Sequence, residues 1–263
     1  MPEMQANGTR LYYEVHGPAD GDVVVLSNGI LMSTASWAFQ VPALSASHRV
    51  VLYDCRGMWQ SEHPPGPYSM DQHADDLAAL LDGLGVERAH IGGISYGGEV
   101  SMAFALRHPE RTRSLVISSS VSEIDAMIRA VVATWQAAVD RDDPDLLLQT
   151  TLPWNFSGRW LAANPEAVRQ AGERYHLLDL PALGRLIEAF LALDLTARLP
   201  EIQAPALVVV GEDDVLKPRR AAEVIAAGIP GAHLAVIPDA GHAVVWEQPA
   251  VFNALVAGFL SQV

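Results

Sequence analysis

The chain has a single cysteine, Cys55, among its 263 residues. An internal disulfide needs two cysteines, and cysteine-rich metal centres need more, so both kinds of site are excluded. One cysteine also fits the reducing conditions of the cytoplasm, where disulfides are rare. We therefore expect a cytoplasmic protein.

Positive charge is scarce as well, with 17 Lys and Arg against 31 Asp and Glu and a formal net charge of −14. No basic run is present, and a phosphate backbone needs clustered Lys and Arg, so we expect no nucleic-acid partner. No apolar run approaches membrane-spanning length, and no basic segment followed by an apolar one stands near Met1. We expect no membrane association and a small molecule as the partner, while the oligomeric state stays open.

Half of the residues are hydrophobic, which is enough for a large core. Short apolar runs recur along the chain and are continuous rather than alternating, which is typical of buried parallel strands. They cover Val23–Ser27, Val50–Tyr53, His90–Gly92, Ser114–Ser118, Ala206–Val210 and His233–Ile237. Helix-length segments follow at Met70–Leu84, Gly97–His108, Arg219–Ala227 and Ala250–Leu260. The alternation predicts an α/β fold with a mostly parallel central sheet covered by helices.

Two parts of the chain depart from this alternation. Residues Tyr12–Val15 predict an N-terminal antiparallel hairpin with the next strand. Residues 121–199 contain no clear strand but four successive helical stretches with prolines between them: Glu123–Asp140, Asp145–Thr151, Pro165–Leu178 and Pro181–Leu193. We therefore predict a core domain formed by residues 1–120 and 200–263, and a helical lid inserted at residues 121–199.

The segment Gly93-Ile-Ser95-Tyr-Gly97-Gly directly follows a predicted strand and precedes a predicted helix. A serine on a sharp strand-to-helix turn exposes its hydroxyl above the sheet, and residues two before and two after it must be small. Gly93 and Gly97 meet that requirement. The sequence therefore predicts Ser95 as a catalytic nucleophile, against the alternative of a glycine-rich turn with an incidental serine.

A serine nucleophile needs a base, and the base needs a third group that orients it. In strand–turn–helix serine enzymes the chain order is Ser, then Asp or Glu, then His. Downstream, Asp213 and Asp214 follow a predicted strand, and His242 follows the last one. We predict His242 as the base and Asp214 as the acid, with Asp213 as the alternative one position away.

Hydrolysis at a carbonyl also needs two N–H donors for the oxyanion, one of them from the residue after the nucleophile. That residue is Tyr96. The other donor is predicted to be Ile30, in the loop Asn28-Gly29-Ile30 after an early strand, where Asn28 could brace the loop. The alternative is an ordinary Asn-Gly turn.

These motifs make the chain resemble the α/β-hydrolase superfamily over nearly its whole length. Within it, three segments are similar to the branch of 3-oxoadipate enol-lactonase-like esterases and lactonases: Leu26–Gly29, Pro67–Met70 and Asp75–Leu77. Asn28–Ser36 more weakly resembles the 3-hydroxyacyl acyltransferases of rhamnolipid synthesis. The chain departs from the superfamily at Asn28, where His is common, and at Trp59, where a glycine is common. The resemblance implies an α/β-hydrolase fold with a helical lid and an acyl-serine mechanism.

Large aromatic side chains are frequent in the predicted lid, and some are expected above Ser95. The candidates for substrate binding are Asn28, Trp59, Trp135, Trp154 and Trp160. The alternative is that the lid aromatics only pack the lid against the core. Arg159 or Arg174 could pair with a carboxylate of the substrate or be solvated at the surface.

The predicted function is hydrolysis of a carboxylic ester or lactone. One alternative is transfer of a hydroxyacyl group from the same intermediate, and C–C bond cleavage and perhydrolysis use the same triad. An alternative of another class is a non-catalytic ligand-binding module on a hydrolase scaffold. No metal or organic cofactor is implied, because the acidic residues and histidines lack metal-site spacing and Gly92-Gly93 is not a dinucleotide fingerprint.

Overall fold

The computed structural model describes residues 2–263, which contain an eight-stranded sheet. The strand order is β1-β2-β4-β3-β5-β6-β7-β8, and every pairing from β4 to β8 is parallel. The strands are β1 (Glu3–Ala6), β2 (Thr9–His16), β3 (Val23–Ser27), β4 (Arg49–Tyr53), β5 (Ala89–Ile94), β6 (Thr112–Ser118), β7 (Ala206–Gly211) and β8 (His233–Ile237).

Six helices lie outside the connection from β6 to β7, four of them between successive strands and two after β8, and five more lie between β6 and β7. The first group is α1 (Val41–Leu44), α2 (Met70–Gly83), α3 (Tyr96–Arg107), α9 (Arg219–Gly228), α10 (Val244–Glu247) and α11 (Pro249–Leu260). The second group is α4 (Ala126–Val139), α5 (Pro144–Asn155), α6 (Gly158–Ala163), α7 (Pro165–Tyr175) and α8 (Leu180–Leu191). None of the described helices is both long and apolar enough to cross a membrane.

Successive residues of the central strands are buried on opposite faces of the sheet. In β3, Val25 packs into the core shared with α2 and α3, whereas Val24 and Leu26 pack into the core shared with α1 and α11. Side chains alternate across a strand, so burial on both faces requires an apolar residue at every position. This explains the continuous apolar runs, and the predicted α/β fold is confirmed.

The N-terminal hairpin differs from its prediction. β2 pairs antiparallel with β1 and with β4, not with the next strand β3. The sequence signal for β1 was missed: Asn7 and Gly8 both have positive φ, 47° and 74°, and join β1 to β2. An Asn-Gly pair is favoured in two-residue hairpin turns because both central residues need this conformation. β3 instead lies between β4 and β5, in the interior of the sheet.

The two ends of residues 121–199 lie next to each other. Glu123 and Asp194 form an isolated antiparallel bridge, and the hydroxyls of Ser122 and Thr196 are 2.7 Å apart. The five helices between these ends include α6, which the sequence analysis missed. We use the name "insertion" for residues 121–199 below. The strands that flank it, β6 and β7, pair directly with each other, so the insertion does not interrupt the strand order.

Candidate active site

Ser95 stands between β5 and α3 in a strained backbone conformation, with φ 56° and ψ −120°. A non-glycine residue at positive φ is uncommon and is held there by its surroundings. The N–H of Ser95 donates to the carbonyl of Ser118 on β6 at 2.8 Å. A Cβ added at Gly93 would lie 2.3 Å from the Gly97 carbonyl, and one at Gly97 would lie 2.0 Å from the Ser27 carbonyl oxygen. The two glycines therefore allow the close packing that supports the turn.

Asp214 lies in the loop after β7 and is brought to His242, which follows β8. Asp214 Oδ2 is 2.9 Å from His242 Nδ1, while Oδ1 accepts hydrogen bonds from the N–H groups of Leu216 at 3.0 Å and Lys217 at 2.8 Å. Both members of the pair are buried, whereas Asp213 is exposed. The loop therefore presents one carboxylate to His242.

With Nδ1 engaged by Asp214, the available nitrogen of His242 is Nε2. Ser95 and His242 line the same cavity, and that cavity also contains Ile30 from the loop after β3. Tyr96 is the first residue of α3, where helical N–H groups have no intrahelical acceptor. The structure thus brings together Ser95, His242, Ile30 and, through its backbone, Tyr96.

The side chain of Tyr96 is buried beneath this site. Its hydroxyl is 2.8 Å from Nε2 of His73 on α2. Burial raises the pKa of Tyr96, and burial together with the nearby Arg56 cation lowers the pKa of His73 to about 3. Both side chains are therefore neutral at physiological pH, and their hydrogen bond joins α3 to α2.

The cavity measures about 870 Å³ including its mouth, and its wall combines core and insertion residues that are mostly apolar. Two predicted substrate-binding residues, Trp59 and Trp135, are part of it. The wall consists of Gly29, Ile30, Leu31, Met32, Ser36, Trp59, Ile94, Ser95, Trp135, Leu152, Asn155, Phe156, Ala171, Arg174, Tyr175, Leu216, His242, Ala243, Val245 and Trp246.

Asn28 lies behind the wall rather than in it. It is completely buried, and its Nδ2 donates to the Tyr53 carbonyl and to Asp54 Oδ1, both at 3.0 Å. Its Oδ1 accepts from Trp37 Nε1 at 2.8 Å. Burial raises the pKa of Asp54 to about 6. Asn28 braces the loop that carries Ile30, and both polar atoms of its side chain are hydrogen-bonded within the protein.

The other two aromatic candidates also lie outside the wall. Trp154 packs against the hydrophobic core. Trp160 stacks on Phe156 with ring centroids 4.2 Å apart, and Phe156 forms the wall. Sequence reasoning missed Phe156 as a pocket residue, as it did Trp246, whose ring also stacks with Phe156 at a centroid distance of 5.8 Å. The sequence feature that could have identified Trp246 as a pocket residue is its position four residues after His242.

A buried ion pair lies close to the same site. Lys217 Nζ is 2.6 Å from Glu99 Oε1, and the two side chains are 3% and 0% exposed. Lys217 lines a small secondary cavity together with Ser95 and Trp135. Glu99 also accepts the N–H of Val121 at 3.1 Å, so its carboxylate joins α3, the start of the insertion and the loop of Asp214. Residues 2–263 contain no cluster of His, Cys, Asp and Glu suited to a metal ion.

Comparison with known proteins gives consistent matches over most or all of the chain. Residues 22–249 match the family model of the alpha/beta hydrolase fold. A protein of Azorhizobium caulinodans named "Putative carbamate hydrolase RutD" is 34% identical, covering 100% of this chain and 99% of the relative. The crystal structure of the enol-lactonase from Burkholderia xenovorans is 30% identical with a TM-score of 0.94, covering 99% of this chain and 100% of that one.

A third match is the structure of Est816, described as an N-acyl homoserine lactone degrading enzyme. It is 31% identical with a TM-score of 0.85 and covers 98% of this chain and 100% of that one. The family match, the sheet order and the relatives agree with one another. The chain belongs to the α/β hydrolase family and is a hydrolase.

Proposed function

We propose that the protein hydrolyses a carboxylic ester or lactone through an acyl-serine intermediate, with Ser95 as nucleophile, His242 as base and Asp214 as its partner. One observation carries the proposal: Nδ1 of His242 is 2.9 Å from a buried Asp214 oxygen, and the same imidazole lines a cavity with Ser95. A histidine oriented by a carboxylate next to a strained serine is the arrangement that activates a hydroxyl.

The reaction proceeds in two halves. Ser95 Oγ attacks the carbonyl carbon while its proton passes to His242 Nε2. The carbonyl oxygen becomes negative and is stabilised by the N–H groups of Ile30 and Tyr96. The C–O bond to the alcohol then breaks, and His242 returns the proton to the leaving oxygen.

In the second half of the reaction, water hydrolyses the acyl-serine intermediate. It gives a proton to His242 and attacks the acyl carbon, and the acid leaves as Ser95 regains its proton. Throughout, Asp214 keeps Nδ1 protonated and stabilises the transient imidazolium. In a lactone the alcohol stays attached to the acyl group, so one product is released instead of two.

The mostly apolar wall supports a substrate with a sizeable apolar part. Ester and lactone substrates are also supported by the relatives described as an enol-lactonase and a lactone-degrading enzyme. A carbamate is the second candidate, favoured by the match to RutD. Its carbonyl is attacked in the same way, but its lower electrophilicity makes the acylation step slower.

The test compares Ser95→Ala with wild type on p-nitrophenyl esters, a lactone panel and p-nitrophenyl carbamates. We expect turnover to fall by at least about 1,000-fold in Ser95→Ala and labelling by a fluorophosphonate probe to disappear. Ser101→Ala is a matched control, because Ser101 lies on the same helix and its hydroxyl is bonded only to the Gly97 carbonyl at 2.7 Å.

The outcomes separate the alternatives. Turnover retained in folded Ser95→Ala would refute the acyl-serine mechanism. A wild-type protein that neither reacts with the probe nor turns over any substrate would instead be a ligand-binding module. Ester formation with an added hydroxyacyl acceptor, in place of free acid, would identify an acyltransferase.

A further inference from the structure

A second cavity lies beside the one that contains Ser95. It measures about 370 Å³ including its mouth and lies where residues 57–63 of the core meet residues 177–186 of the insertion. We use the name "side cavity" for it. Its wall consists of Ile30, Gly57, Met58, Trp59, His63, Leu177, Leu178, Asp179, Leu183 and Leu186. Most of these side chains are apolar, so the side cavity suits an apolar group.

Two residues belong to the walls of both cavities, Ile30 and Trp59. A residue that borders two cavities lies between them, and the indole of Trp59 is the larger of the two side chains. The ring is held by Arg174 of α7, whose Cζ lies 4.7 Å from the ring centroid and whose Nη2 donates to Ser33 Oγ at 3.0 Å. A cation over the face of an indole is attracted by the ring quadrupole. The side chain of Trp59 therefore separates the cavity of Ser95 from the side cavity.

The conformation of Trp59 is unfavourable in two respects. Its φ is 40°, a left-handed backbone conformation that is an outlier for a bulky residue. Its indole N–H is buried and has no hydrogen-bond acceptor, and a buried donor without a partner lowers stability. Glycine would avoid both costs but would leave no ring between the cavities. Costly conformations of this kind are typical of positions that serve function rather than stability.

We propose that Trp59 determines the length of the apolar chain that the substrate can carry, because its indole separates the side cavity from the cavity of Ser95. The substrate is then an ester or lactone whose chain fits in the cavity of Ser95 alone. Without the indole the two apolar spaces would join, and a longer chain would gain further buried surface. This inference rests on the proposed function, since it specifies the apolar part of the same substrate.

The experiment measures kcat/KM against chain length for wild type and Trp59→Gly. The p-nitrophenyl esters from butyrate to dodecanoate vary the acyl part, and the n-alkyl acetates from butyl to dodecyl vary the alcohol part. For wild type we expect kcat/KM to rise with length until the chain fills the cavity of Ser95 and then to level off or fall. In Trp59→Gly the rise should continue over at least about two further methylene groups in one of the series, by about 4-fold for each methylene buried. Comparing lengths on one preparation makes the profile independent of the folded fraction.

Further variants separate the role of the indole from a general loosening of the site. Trp59→Phe keeps a ring at the same backbone position and should keep the wild-type length limit, whereas Trp59→Ala should extend it as Trp59→Gly does. Leu183 on α8 belongs to the wall of the side cavity and not to the wall around Ser95. Trp59→Gly/Leu183→Phe should therefore return the limit to the wild-type length, and Leu183→Phe alone should not change it. Leu178→Phe, half-buried on the same wall, is the second filling variant.

Two outcomes would overturn the inference. One is a wild-type length limit in both Trp59→Gly and Trp59→Ala for both series of esters. The other is a longer limit that persists once the side cavity is filled, since the gain would then come from another part of the site. Ester turnover that depends on Ser95 with an unchanged length limit would refute this inference alone and leave the proposed function intact.

A binding measurement tests the role of Trp59 without catalysis. Calorimetric titrations of Ser95→Ala and Ser95→Ala/Trp59→Gly with 1-hexanol and 1-decanol compare the gain in affinity when an apolar chain is lengthened. The ratio of the decanol to the hexanol affinity should be at least about 10-fold larger in the double variant. Equal ratios in the two proteins would refute the role of Trp59, whether or not the wild-type protein turns over an ester.

Discussion

Replacing Gly97 by alanine tests how closely the turn at Ser95 is packed against the loop after β3, which carries the proposed oxyanion donor Ile30. A Cβ at Gly97 would lie 2.0 Å from the Ser27 carbonyl oxygen, 2.4 Å from its carbonyl carbon and 2.8 Å from the Asn28 carbonyl oxygen. All three atoms are backbone at the end of β3, which is completely buried there. No side-chain rotation can relieve this contact.

The size of the effect follows from the distances. Cβ atoms essentially never approach other heavy atoms within 3.0 Å, so β3 and α3 must separate by roughly 1 Å. Overpacking of a buried site typically costs about 1–3 kcal/mol, and the backbone contact here places Gly97→Ala at the upper end. The shift also moves the loop of Ile30, and loss of one oxyanion donor reduces kcat by about 100- to 1,000-fold.

Gly258→Ala is the matched control, since Gly258 also lies in a helix and a Cβ there meets nothing within 4 Å. Alanine favours the helix, so we expect Gly258→Ala to be stabilised by up to about 1 kcal/mol with unchanged activity. Urea unfolding and ester turnover measure both effects. A Gly97→Ala protein with wild-type stability and kcat would show that the turn is not constrained by this contact, and the reasoning would be wrong.

Two further predictions concern buried titratable groups. Lys217→Met leaves Glu99 buried without its cation, which should lower the free energy of unfolding by about 3 kcal/mol at neutral pH. Burial raises the pKa of Glu99, and the variant lacks the Lys217 cation that offsets this effect. The folded variant therefore retains a proton that the unfolded chain releases, and the loss should grow as pH rises. Unfolding curves at several pH values check this, and Lys217→Met/Glu99→Gln should recover most of the stability. Burial lowers the pKa of His90 from 6.5 to about 4, so the stability that neutral His90 contributes is present above pH 6.5 and is lost as pH falls towards 4. The slope, about 1.4 kcal/mol per pH unit for one proton, should be shallower in His90→Gln, and an unchanged slope would argue against a neutral buried His90.

Much of the fold was predictable because its signals are local. Apolar runs predicted six of the strands, and β3 (Val23–Ser27) and β8 (His233–Ile237) have the predicted bounds. Burial on both sheet faces produces such runs in any chain, whatever its neighbours. The pairing of β2 was predicted incorrectly because strand order depends on contacts between distant residues, which a single sequence does not contain.

The candidate site also combines features that local sequence predicts with contacts that depend on the tertiary structure. The glycines around Ser95 and the order of Ser95, Asp214 and His242 are sequence features with a local steric or topological reason. The approach of Asp214 rather than Asp213 to His242 depends on how the loop after β7 folds against the loop after β8, 28 residues away.

The sequence by itself determined the alternation of strands and helices and the strained turn at Ser95, because periodicity and turn sterics act over a few residues. Only the tertiary structure decided that Asn28 braces the loop while Trp59 and Arg174 form the cavity wall. Those roles arise where the insertion meets the core, between residues such as Ser33 and Arg174 that are 141 positions apart. Long-range packing, unlike local propensity, selects which polar groups face a substrate.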